Sequence, residues 1–562
     1  MKRLLSLVLA LAMICCLAGA TAEEKDYKAI YQDRTDYVVN NFASWAEENG
    51  LTKYLTPYDE PTTVTMVHGY STAVENMMEK LGERYGETYN TNRWTDILSR
   101  CLNIEVKYDW WTHDNDYSTK LRLTAADQDL PDVFVVTDQS DVAQLAEAGQ
   151  IIPLNDLIEN EALPEVKDRW FADGGLTLSM VTIDGQIYGY PQTLSHTDDA
   201  AYVFIRSDWM EELGISFPET IEDVWDICYK FVESGKAKYG LHMETGDNAM
   251  WDYLCGVCEA YYAYPESWIV TEEGKLAYGP TQPNMKKALA QLQKMFKDGL
   301  IDPEFATKTA TVAYENVING NIGVCLGPHW FMTDIMSLYE LQPGVTWYAL
   351  PIHDSEGKIV PEAIRTNNRG FVCVNAKCKN PEIAFKMINL YHYAAYYSND
   401  PTWWGYEESN SRVFAPVYST VKPTDNLETY RNLKECFAAG NDTSLLRNKA
   451  VAYYGNITSD DYKKAWSWNQ MFGTWEYTPM EVLEYLSDNG LLFYNAYVGA
   501  PSITYQDYWS TLQDLTKQMI IKIIMGADVD STFDSYVEQW NATGGKTITE
   551  EANAWYQAQQ AK

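Results

Sequence analysis

The sequence has few basic residues: 43 Lys and Arg stand against 79 Asp and Glu, which gives a formal net charge of −36. Proteins that bind nucleic acids rely on Lys and Arg to neutralise phosphates. The balance therefore excludes a nucleic-acid partner. So large an acidic excess is typical of a protein that stays soluble outside the cell.

Long apolar runs are absent after residue 22, where no segment reaches the ~20 uninterrupted apolar residues that a membrane helix needs. The N-terminus has a basic start (residues 1–3), an apolar core (residues 4–14) and the cleavage motif Ala20-Thr21-Ala22. These three parts predict a secretory signal peptide over residues 1–22. We expect a secreted mature chain that begins at Glu23 and meets a membrane only through a partner.

Motifs of enzymatic chemistry are also missing. The sequence has no H-E-x-x-H, G-x-S-x-G or G-x-G-x-x-G motif and no phosphate loop of the G-x-x-x-x-G-K-[ST] kind. We therefore expect a protein that is not an enzyme and needs no cofactor or metal. The segment His196–Asp199 could supply metal or base ligands but is interpreted as a solvated loop. A glycoside hydrolase needs only two neighbouring carboxylates, so hydrolysis stays an alternative.

Cysteine is scarce, with eight residues in the expected mature chain, among them a C-x-x-C pair at Cys255 and Cys258. Eight are too few for a disulfide scaffold in a chain of this length. The pair lacks the second half of a zinc site. Buried structural thiols are the favoured interpretation, and a disulfide or a metal or redox role are the alternatives.

Short apolar runs alternate with helical patterns in the first part of the chain. Predicted strands cover Thr62–Val67, Ile104–Tyr108 and Val133–Val136, and the segment Lys120–Leu157 shows a helix, a strand and a second helix in succession. This alternation predicts an α/β fold with mostly parallel sheets flanked by helices. Ligands of such sheets bind outside the carboxyl ends of the strands.

Polar or aromatic side chains follow each of the three predicted strands. His68 and Tyr70 follow the first strand, Trp110 and Trp111 the second, and Asp138 the third. Because the carboxyl ends of parallel strands meet at one edge of a sheet, we expect these five residues to converge on a ligand site.

Several sequence blocks carry a resemblance to a known family. They are LPDVFVVTDQSDVAQLAEAGQIIPLNDLI (130–158), DGQIYGYPQ (184–192), FIRSDWMEELGISFPETIEDV (204–224), DGLIDPEF (298–305), IGVCLGPHW (322–330) and IIMGADVDSTFDSYVEQWNATGG (523–545). In this order they resemble family 1 extracellular solute-binding proteins of ABC importers. The resemblance implies a two-lobed, type II periplasmic-binding-protein-like fold with a hinge, and ABC transporter permease subunits as partners.

The resemblance also implies a division of the chain. Residues 23–60 form an N-terminal extension, residues 61–178 and 350–395 one lobe, and residues 179–349 and 396–562 the other. Many relatives are lipoproteins, but here Ala20 stands where their lipid-bearing Cys would be, which argues against a lipid anchor. The calcium loop of some relatives corresponds to residues 234–241, where no ladder of carboxylates occurs, so we expect no calcium site.

Aromatic residues favour a sugar ligand, because 19 Trp and 41 Tyr stand against 16 Phe. Trp and Tyr combine a flat apolar face with a polar edge, which suits the C–H faces and hydroxyls of sugars. Trp330, in a G-P-H-W turn, resembles the stacking Trp of maltose-binding relatives. Most Trp side chains in any protein serve packing. Further candidates are Trp251, Asp252, Tyr253, Arg369, Trp403 and Trp404.

The sequence thus predicts the solute-binding component of an ABC importer. We expect a monomer that captures a carbohydrate, namely an oligosaccharide, between two lobes and delivers it to a membrane permease. The alternatives are a peptide-binding importer component, a secreted glycoside hydrolase, and an adhesion or scaffold protein that closes on no small solute.

Overall fold

The computed structural model of the chain describes residues 26–245, 249–366, 368–398, 400, 403–404, 411–418 and 421–560, with only the backbone for residues 73 and 249–251. The predicted signal peptide, residues 1–22, and the first residues of the predicted extension lie outside the described residues. Within the described part, no helix has the length and apolar character needed to cross a bilayer.

The first part of the chain, up to residue 200, begins with a long helix. Its helices are α1 (Tyr27–Glu48), α2 (Thr72–Tyr85), α3 (Arg93–Leu102), α4 (Asp114–Ala126), α5 (Gln139–Glu147), α6 (Asn155–Glu161), α7 (Pro164–Trp170) and α8 (Leu176–Ser179). Its strands are β1 (Thr62–Tyr70), β2 (Ile104–His113), β3 (Val133–Val136), β4 (Thr182–Ile183), β5 (Gln186–Ile187) and β6 (Tyr190–Thr193).

The middle of the chain, up to residue 366, carries a second set of elements. Its helices are α9 (Ser207–Leu213), α10 (Ile221–Glu233), α11 (Ala249–Glu259), α12 (Asn284–Lys297), α13 (Ala310–Ile318), α14 (Phe331–Asp334) and α15 (Leu338–Leu341). Its strands are β7 (Ala201–Arg206), β8 (Trp268–Val270), β9 (Leu276–Tyr278), β10 (Val324–Pro328), β11 (Trp347–Leu350) and β12 (Glu362–Ile364).

The last part of the chain is mostly helical. It contains strands β13 (Asn368–Val374) and β14 (Leu492–Tyr494) and the helices α16 (Ile383–Tyr397), α17 (Asp425–Ala438), α18 (Lys449–Ile457), α19 (Tyr462–Phe472), α20 (Pro479–Asp488), α21 (Ile503–Ile524), α22 (Val529–Trp540) and α23 (Lys546–Gln560).

The first strands of the chain form two sheets, β1–β2 and, together with β13, β3–β13–β6. Strands β1 and β2 pair in parallel, whereas β13 lies between β3 and β6 and pairs antiparallel with both. The Asp132 carboxylate joins the two parts, because it accepts hydrogen bonds from the Thr65 amide at 2.9 Å and the Thr65 hydroxyl at 2.8 Å. Since β3 and β6 both oppose β13, they run in the same direction as each other.

A further sheet repeats this arrangement. Strand β7 lies between β10 and β11 and pairs antiparallel with both. The segment at residues 239–242 runs parallel to β10 on its outer side, with the His242 amide donating to the Val324 carbonyl at 2.9 Å. The α/β prediction is confirmed, but the prediction of mostly parallel sheets is wrong, because most strand pairs of the described residues are antiparallel. The apolar runs did not indicate that the central strand of each three-stranded sheet runs antiparallel to both neighbours. These central strands are β13 in one sheet and β7 in the other.

Buried apolar residues form clusters that separate along the chain. Two clusters contain residues from 38 to 190 and from 371 to 418, and two others contain residues from 200 to 360 and from 427 to 552. No cluster of the described residues mixes these groups. We therefore propose that lobe 1 consists of residues 26–195 and 368–418, and lobe 2 of residues 200–366 and 421–560.

This proposal moves the predicted boundaries. Strand β6 pairs with β13, so residues 179–193 belong with lobe 1. Strand β12 pairs with β14, so residues 350–366 belong with lobe 2. The predicted extension is part of lobe 1, because Val38, Phe42 and Ala46 of α1 are buried in its core.

The chain crosses between the lobes three times, near residues 195–200, 366–368 and 418–425. The first and third crossings are bonded to each other, since the amides of His196 and Thr197 donate to the Pro423 carbonyl at 2.8 and 3.1 Å. The first and second are joined because the Arg365 amide donates to the Asp199 carboxylate at 3.1 Å. The crossings thus form one connected hinge region.

The eight cysteines of the expected mature chain are free thiols in the structure. Cys255 and Cys258 lie one turn apart on α11, and burial raises the pKa of both thiols. Protonated, buried thiols are poor nucleophiles and poor metal ligands. The favoured interpretation as structural thiols agrees with this arrangement.

Two predicted ligand-binding residues, Trp403 and Trp404, belong to the core of lobe 1. Both are fully buried, the Arg93 guanidinium lies 3.5 Å from the centre of the Trp403 ring, and Trp94 packs edge-on against Trp404. Arg93 is itself buried and paired with Glu87 at 2.6 Å. The cleft prediction for these two Trp residues is wrong, because their rings cover a buried ion pair.

We predict that Trp403→Ala lowers the free energy of unfolding by about 3–5 kcal/mol, since a large buried ring is lost. Urea denaturation followed by circular dichroism measures the change. Trp475→Ala is the matched control: Trp475 is a half-buried ring near the surface of lobe 2, and we expect a smaller effect there. Unchanged stability of Trp403→Ala would contradict the core assignment.

Candidate ligand-binding cleft

A first cavity lies at the carboxyl end of β1 in lobe 1 and has a volume of about 290 Å³. His68 and Tyr70 line it from β1, Thr137 lines it from the end of β3, and Asn368 and Arg369 line it from β13. The structure therefore brings three of the predicted residues, His68, Tyr70 and Arg369, to one place. Their convergence follows from the sheet topology.

His68 is a neutral hydrogen-bonding group of this cavity. Its Nδ1 lies 2.6 Å from the Gly69 carbonyl, to which it donates, and burial lowers the pKa of the ring. The ring stacks on Trp111 with centroids 4.4 Å apart and an angle of 21°. Trp111 thus supports His68 from behind and does not line the cavity itself.

Trp110 also lies beside the cavity. Its ring packs against Tyr117, with centroids 5.6 Å apart, and Lys120 lies over it. Successive residues of a strand point to opposite faces, so Trp110 and Trp111 could not both have faced one site.

A second cavity of about 920 Å³ lies between the lobes. Residues 137–141 line it from lobe 1, and Tyr505, Gln506 and Trp509 of α21 line it from lobe 2. It shares the lining residues Thr137 and Asn368 with the first cavity, so the two are neighbours.

Asp138 borders this second cavity, and its carboxylate already interacts with groups of the protein. It caps α5 by accepting a hydrogen bond from the Ser140 amide at 2.8 Å, and it lies 3.9 Å from Arg122. Arg122 in turn donates to Asp141 at 2.8 Å. One exposed Asp138 oxygen edge remains able to accept from a ligand hydroxyl.

A third recess lies in lobe 2 and contains Trp330, Asp252, Glu266, Asp199 and Arg365. Trp330 follows β10 and is half-buried. The Arg365 guanidinium forms two bonds to Asp199 at 2.9 and 3.0 Å and one to Glu266 at 2.8 Å, and it lies 3.6 Å from Asp252. An aromatic ring thus stands beside a network of carboxylates around one cation.

Burial shifts the acidity of this network. It raises the pKa of Asp252 to about 6, although the Arg365 charge favours the ionised form, and it raises the pKa of Glu266. Two further carboxyls, Glu259 and Glu362, are buried beneath the recess, and burial raises the pKa of each. The charge of Asp252 therefore changes at about pH 6.

Asp252 and Tyr253 were predicted together but point in different directions. The Tyr253 ring is buried against Gly327 of β10, and its hydroxyl meets that of Tyr314 at 2.5 Å. Neighbouring residues of a helix lie about 100° apart, so only one of the two can face the recess. The cleft prediction for Tyr253 is wrong, and the side chain of Trp251 lies outside the described residues.

The interpretation of His196–Asp199 as a solvated loop is also wrong. The segment is a short 3-10 helix in which His196 and Thr197 are buried. Asp198 accepts two hydrogen bonds from the Asn426 amide at 2.7 and 2.8 Å. The Asp198 carboxylate is therefore bonded within the hinge region, where segments that are far apart in the chain meet.

Several cleft residues escaped the sequence analysis, namely Gln192, Asp199, Glu266, Arg365, Asn368, Tyr418, Tyr505 and Trp509. The spacing of Tyr505 and Trp509, four residues apart, is a signal that both lie on one helix face. The others sit at lobe crossings or loop ends, where no periodic pattern marks them.

Comparison with known proteins identifies the family. A family model described as bacterial extracellular solute-binding protein matches residues 90–391. The chain belongs to this family.

Two relatives differ in how much of the chain they match. The fructooligosaccharide ABC transporter substrate-binding protein FusA of Streptococcus pneumoniae is 24% identical over 405 residues, which cover 64% of this chain and 69% of FusA. Lipoprotein LipO of Bacillus subtilis is 26% identical over 254 residues, which cover 43% of this chain and 48% of LipO. The match thus spans about half the length of LipO.

A solved structure confirms the fold. The alginate-binding protein AlgQ2, crystallised without calcium ion, superposes with a TM-score of 0.60 at 18% identity, covering 89% of this chain and 99% of AlgQ2. The predicted two-lobed, type II periplasmic-binding-protein-like fold is therefore confirmed. Among the described residues, no group of three His, Cys, Asp or Glu side chains could hold a metal ion.

We predict that Arg365→Gln raises the pKa of Asp252 above its value of about 6, because the guanidinium is the nearest opposite charge. Removing a neighbouring cation disfavours the ionised carboxylate. Carbon-detected NMR titration measures the midpoint, and Asp252→Asn identifies the signal by its disappearance. Arg365→Lys retains the charge and serves as the control. A midpoint that Arg365→Gln leaves in place would contradict the described network.

Proposed function

We propose that the protein is the solute-binding component of an ABC importer and that it captures an oligosaccharide between its lobes. The observation that carries this proposal is the lining of the cleft. Half-buried aromatic rings, Tyr70, Trp330, Tyr505 and Trp509, stand among carboxylates, amides and hydroxyls. Family membership and the similarity to the fructooligosaccharide-binding protein FusA support transport of a sugar.

The chemistry of this lining suits sugars better than peptides or ions. A sugar ring presents C–H groups that pack on aromatic faces and hydroxyls that bond to carboxylates and amides. Asp252 and Asp138 supply carboxylates, and Asn368 and Gln192 supply amides. A binding site for free ions would need converging charges of one sign without the rings.

The charge of the cleft favours a neutral sugar over a uronate. In the lobe 2 recess, Asp199, Asp252 and Glu266 surround Arg365, and its guanidinium is already bonded to two of them. Arg122 is likewise paired with Asp141. A carboxylate on the ligand would meet like charges there. Arg369, exposed in lobe 1, is a cation that could pair with such a carboxylate.

Binding would act on the hinge. A ligand that contacts both lobes adds interactions that exist only when the lobes are close, which shifts the equilibrium between open and closed forms. Direct contacts between the lobes already exist, such as the Ser179 hydroxyl donating to the Val498 carbonyl at 2.9 Å. The permease subunits would then recognise the paired lobe surfaces.

Hydrolysis is the less supported alternative. The carboxyls Glu259 and Glu362 are buried and accept hydrogen bonds from the backbone amides of Ala363 and Ala201, with Glu259 at the floor of the lobe 2 recess. Asp199 and Glu266 are held by Arg365. We therefore propose a protein that releases its sugar unchanged. We also propose that it is a secreted monomer without a lipid at Ala20.

The decisive test is calorimetric titration of the mature chain with neutral and uronate oligosaccharides, followed by chromatography of each mixture. We expect saturable binding of a neutral sugar that is recovered intact. Trp330→Ala should weaken this binding by about tenfold or more, since the loss of one stacked ring corresponds to about 1–2 kcal/mol.

Trp475→Ala is the matched control for this titration, because Trp475 lines none of the three cleft cavities. Cleaved sugar in the chromatogram would replace the transport proposal with hydrolysis. Binding of peptides and of no sugar would replace it with peptide import, and binding of neither would point to a scaffold role.

We predict that affinity for the sugar falls as the pH drops through about 6. Asp252 has a pKa of about 6, and its ionised carboxylate accepts hydrogen bonds from ligand hydroxyls more strongly than the protonated acid does. Above pH 7 the affinity should be constant, and below pH 6 it should decrease by up to tenfold per unit. Calorimetry between pH 5 and pH 8 measures the profile. Asp252→Asn should bind more weakly at pH 7.5 and show a flat profile over this interval.

A further inference from the structure

The first and third lobe crossings run side by side and are bonded along their length. The Thr193 hydroxyl donates to the Val421 carbonyl at 2.7 Å, and the Ser195 hydroxyl donates to the Pro423 carbonyl at 3.2 Å. The two backbone amides of the first crossing that also donate to the Pro423 carbonyl continue this contact toward lobe 2. The two crossings therefore form one bonded pair of segments.

Asn426 joins the two crossings where this pair enters lobe 2. It is the second residue of α17, and its side chain is buried. Its Nδ2 donates to both oxygens of the Asp198 carboxylate, at 2.7 and 2.8 Å. Its Oδ1 accepts hydrogen bonds from the Lys449 ammonium at 2.5 Å and from the Tyr453 hydroxyl at 3.2 Å. We call these four residues, Asp198, Asn426, Lys449 and Tyr453, the hinge clasp.

The residue at position 426 has to donate on one side and accept on the other. An ionised carboxylate only accepts hydrogen bonds, and an ammonium only donates them. The amide of Asn426 supplies both functions, and its two charged neighbours decide which end of the amide faces which of them. An Asp at this position would face Asp198 with a second carboxylate. The hinge clasp therefore depends on the amide chemistry of Asn426 and not only on its size.

The hinge clasp is anchored in lobe 2. Lys449 and Tyr453 lie four residues apart on α18, so both approach the amide from the same helix face. Lys449 is 7% exposed and also pairs with Asp425. The Tyr453 ring packs against two rings of α19, Trp468 and Phe472, with centroids 4.5 and 4.7 Å apart. Because a buried ammonium is stable only when it is paired and hydrogen-bonded, Lys449 holds its partners in one geometry.

We propose that the hinge clasp makes the first and third crossings move as one unit with lobe 2, so that the lobes bend about a single axis. Crossings that moved separately would let the lobes twist as well as bend. Asn426 and Lys449 are positioning residues in this role, since they line none of the three cleft cavities. The inference concerns the hinge and holds whatever solute the cleft captures.

Hydrogen–deuterium exchange of the solute-free mature chain tests the hinge clasp at the amides of His196 and Thr197, which donate to Pro423. Asn426→Asp should speed exchange there by about tenfold or more, since like charges replace charge-assisted bonds. The double variant Asp198→Asn with Asn426→Asp lets the amide and the carboxylate change places. It should return the exchange rate to within about threefold of the unmodified protein.

Tyr453→Phe is a second variant, which keeps the packed ring and removes only one hydrogen bond to Asn426. It should speed the same exchange by about threefold. Asn432→Asp is the matched control, because Asn432 is half-buried on α17 and donates to the Leu445 carbonyl at 2.9 Å, away from the crossings. This control makes the same chemical change on the same helix and should leave exchange at residues 196 and 197 unaltered.

The distance between the lobes gives an independent measurement. Spin labels on noncanonical residues introduced at Glu79 of α2 and Lys287 of α12, both exposed, avoid the native thiols. In double electron–electron resonance of the solute-free protein, we expect Asn426→Asp to broaden the distance distribution. The double variant should restore the width of the unmodified protein, because it restores the bond between the crossings.

Exchange at residues 196 and 197 that both Asn426→Asp and Tyr453→Phe leave unaltered would overturn the inference. A double variant that exchanges as fast as Asn426→Asp would do so too, since Asn426 would then act through packing alone. Equal acceleration by Asn432→Asp, or acceleration spread over the cores of both lobes, would indicate lost stability and also overturn it. A distance distribution that Asn426→Asp leaves as narrow would contradict the single bending axis. No sugar is used in these measurements, so each outcome stands even if the proposed function fails.

Discussion

The cleft and the hinge both depend on the hydrogen bonds that the Arg365 guanidinium forms with carboxylates. It bonds to Asp199 at the first lobe crossing and to Glu266 in the recess, while its own backbone amide binds Asp199 at the second crossing. Removing one member of such a network would leave the remaining carboxylates without their counter-ion. The same group therefore aligns two crossings and fixes the carboxylates beside Trp330.

This dual role links the shape of the cleft to the state of the hinge. The carboxylates around Arg365 belong to lobe 2, but Asp199 sits where the chain arrives from lobe 1. Any bending at this crossing moves Asp199 and so changes the charge balance felt by Asp252. In the proposed function, a ligand hydroxyl that binds Asp252 would be coupled to the hinge through a short chain of charge-assisted bonds.

Much of the fold could be predicted because it is encoded locally. The apolar run Val133–Val136 and the helices beside it identified a buried strand, and the residues after β1 and β3 do border cavities. The direction of β7 and β13 could not be predicted, because pairing depends on strands far away in the sequence. The lobe boundaries could not be predicted for the same reason, because the sequences of β6 and β12 do not indicate which sheet these strands join.

The sequence predicted which residues line a cavity where strand ends decide their position, but not where packing decides it. His68, Tyr70 and Arg369 follow or begin strands, so topology brings them together. Trp403 and Trp404 are of a residue type that suits a sugar site, yet both rings are packed in the core, where Arg93 lies over the Trp403 ring. The aromatic pair at Tyr505 and Trp509 lies on a helix that reaches the cleft only through the tertiary fold.

The pairing of β3 with β13 has a consequence for how the protein is made. Val136 meets Phe371, so the sheet of lobe 1 stays open while the whole middle of the chain is synthesised. Lobe 2 is in the same position, because its core needs helices from residue 421 onward. Neither lobe can complete its core before the ribosome has made most of the chain.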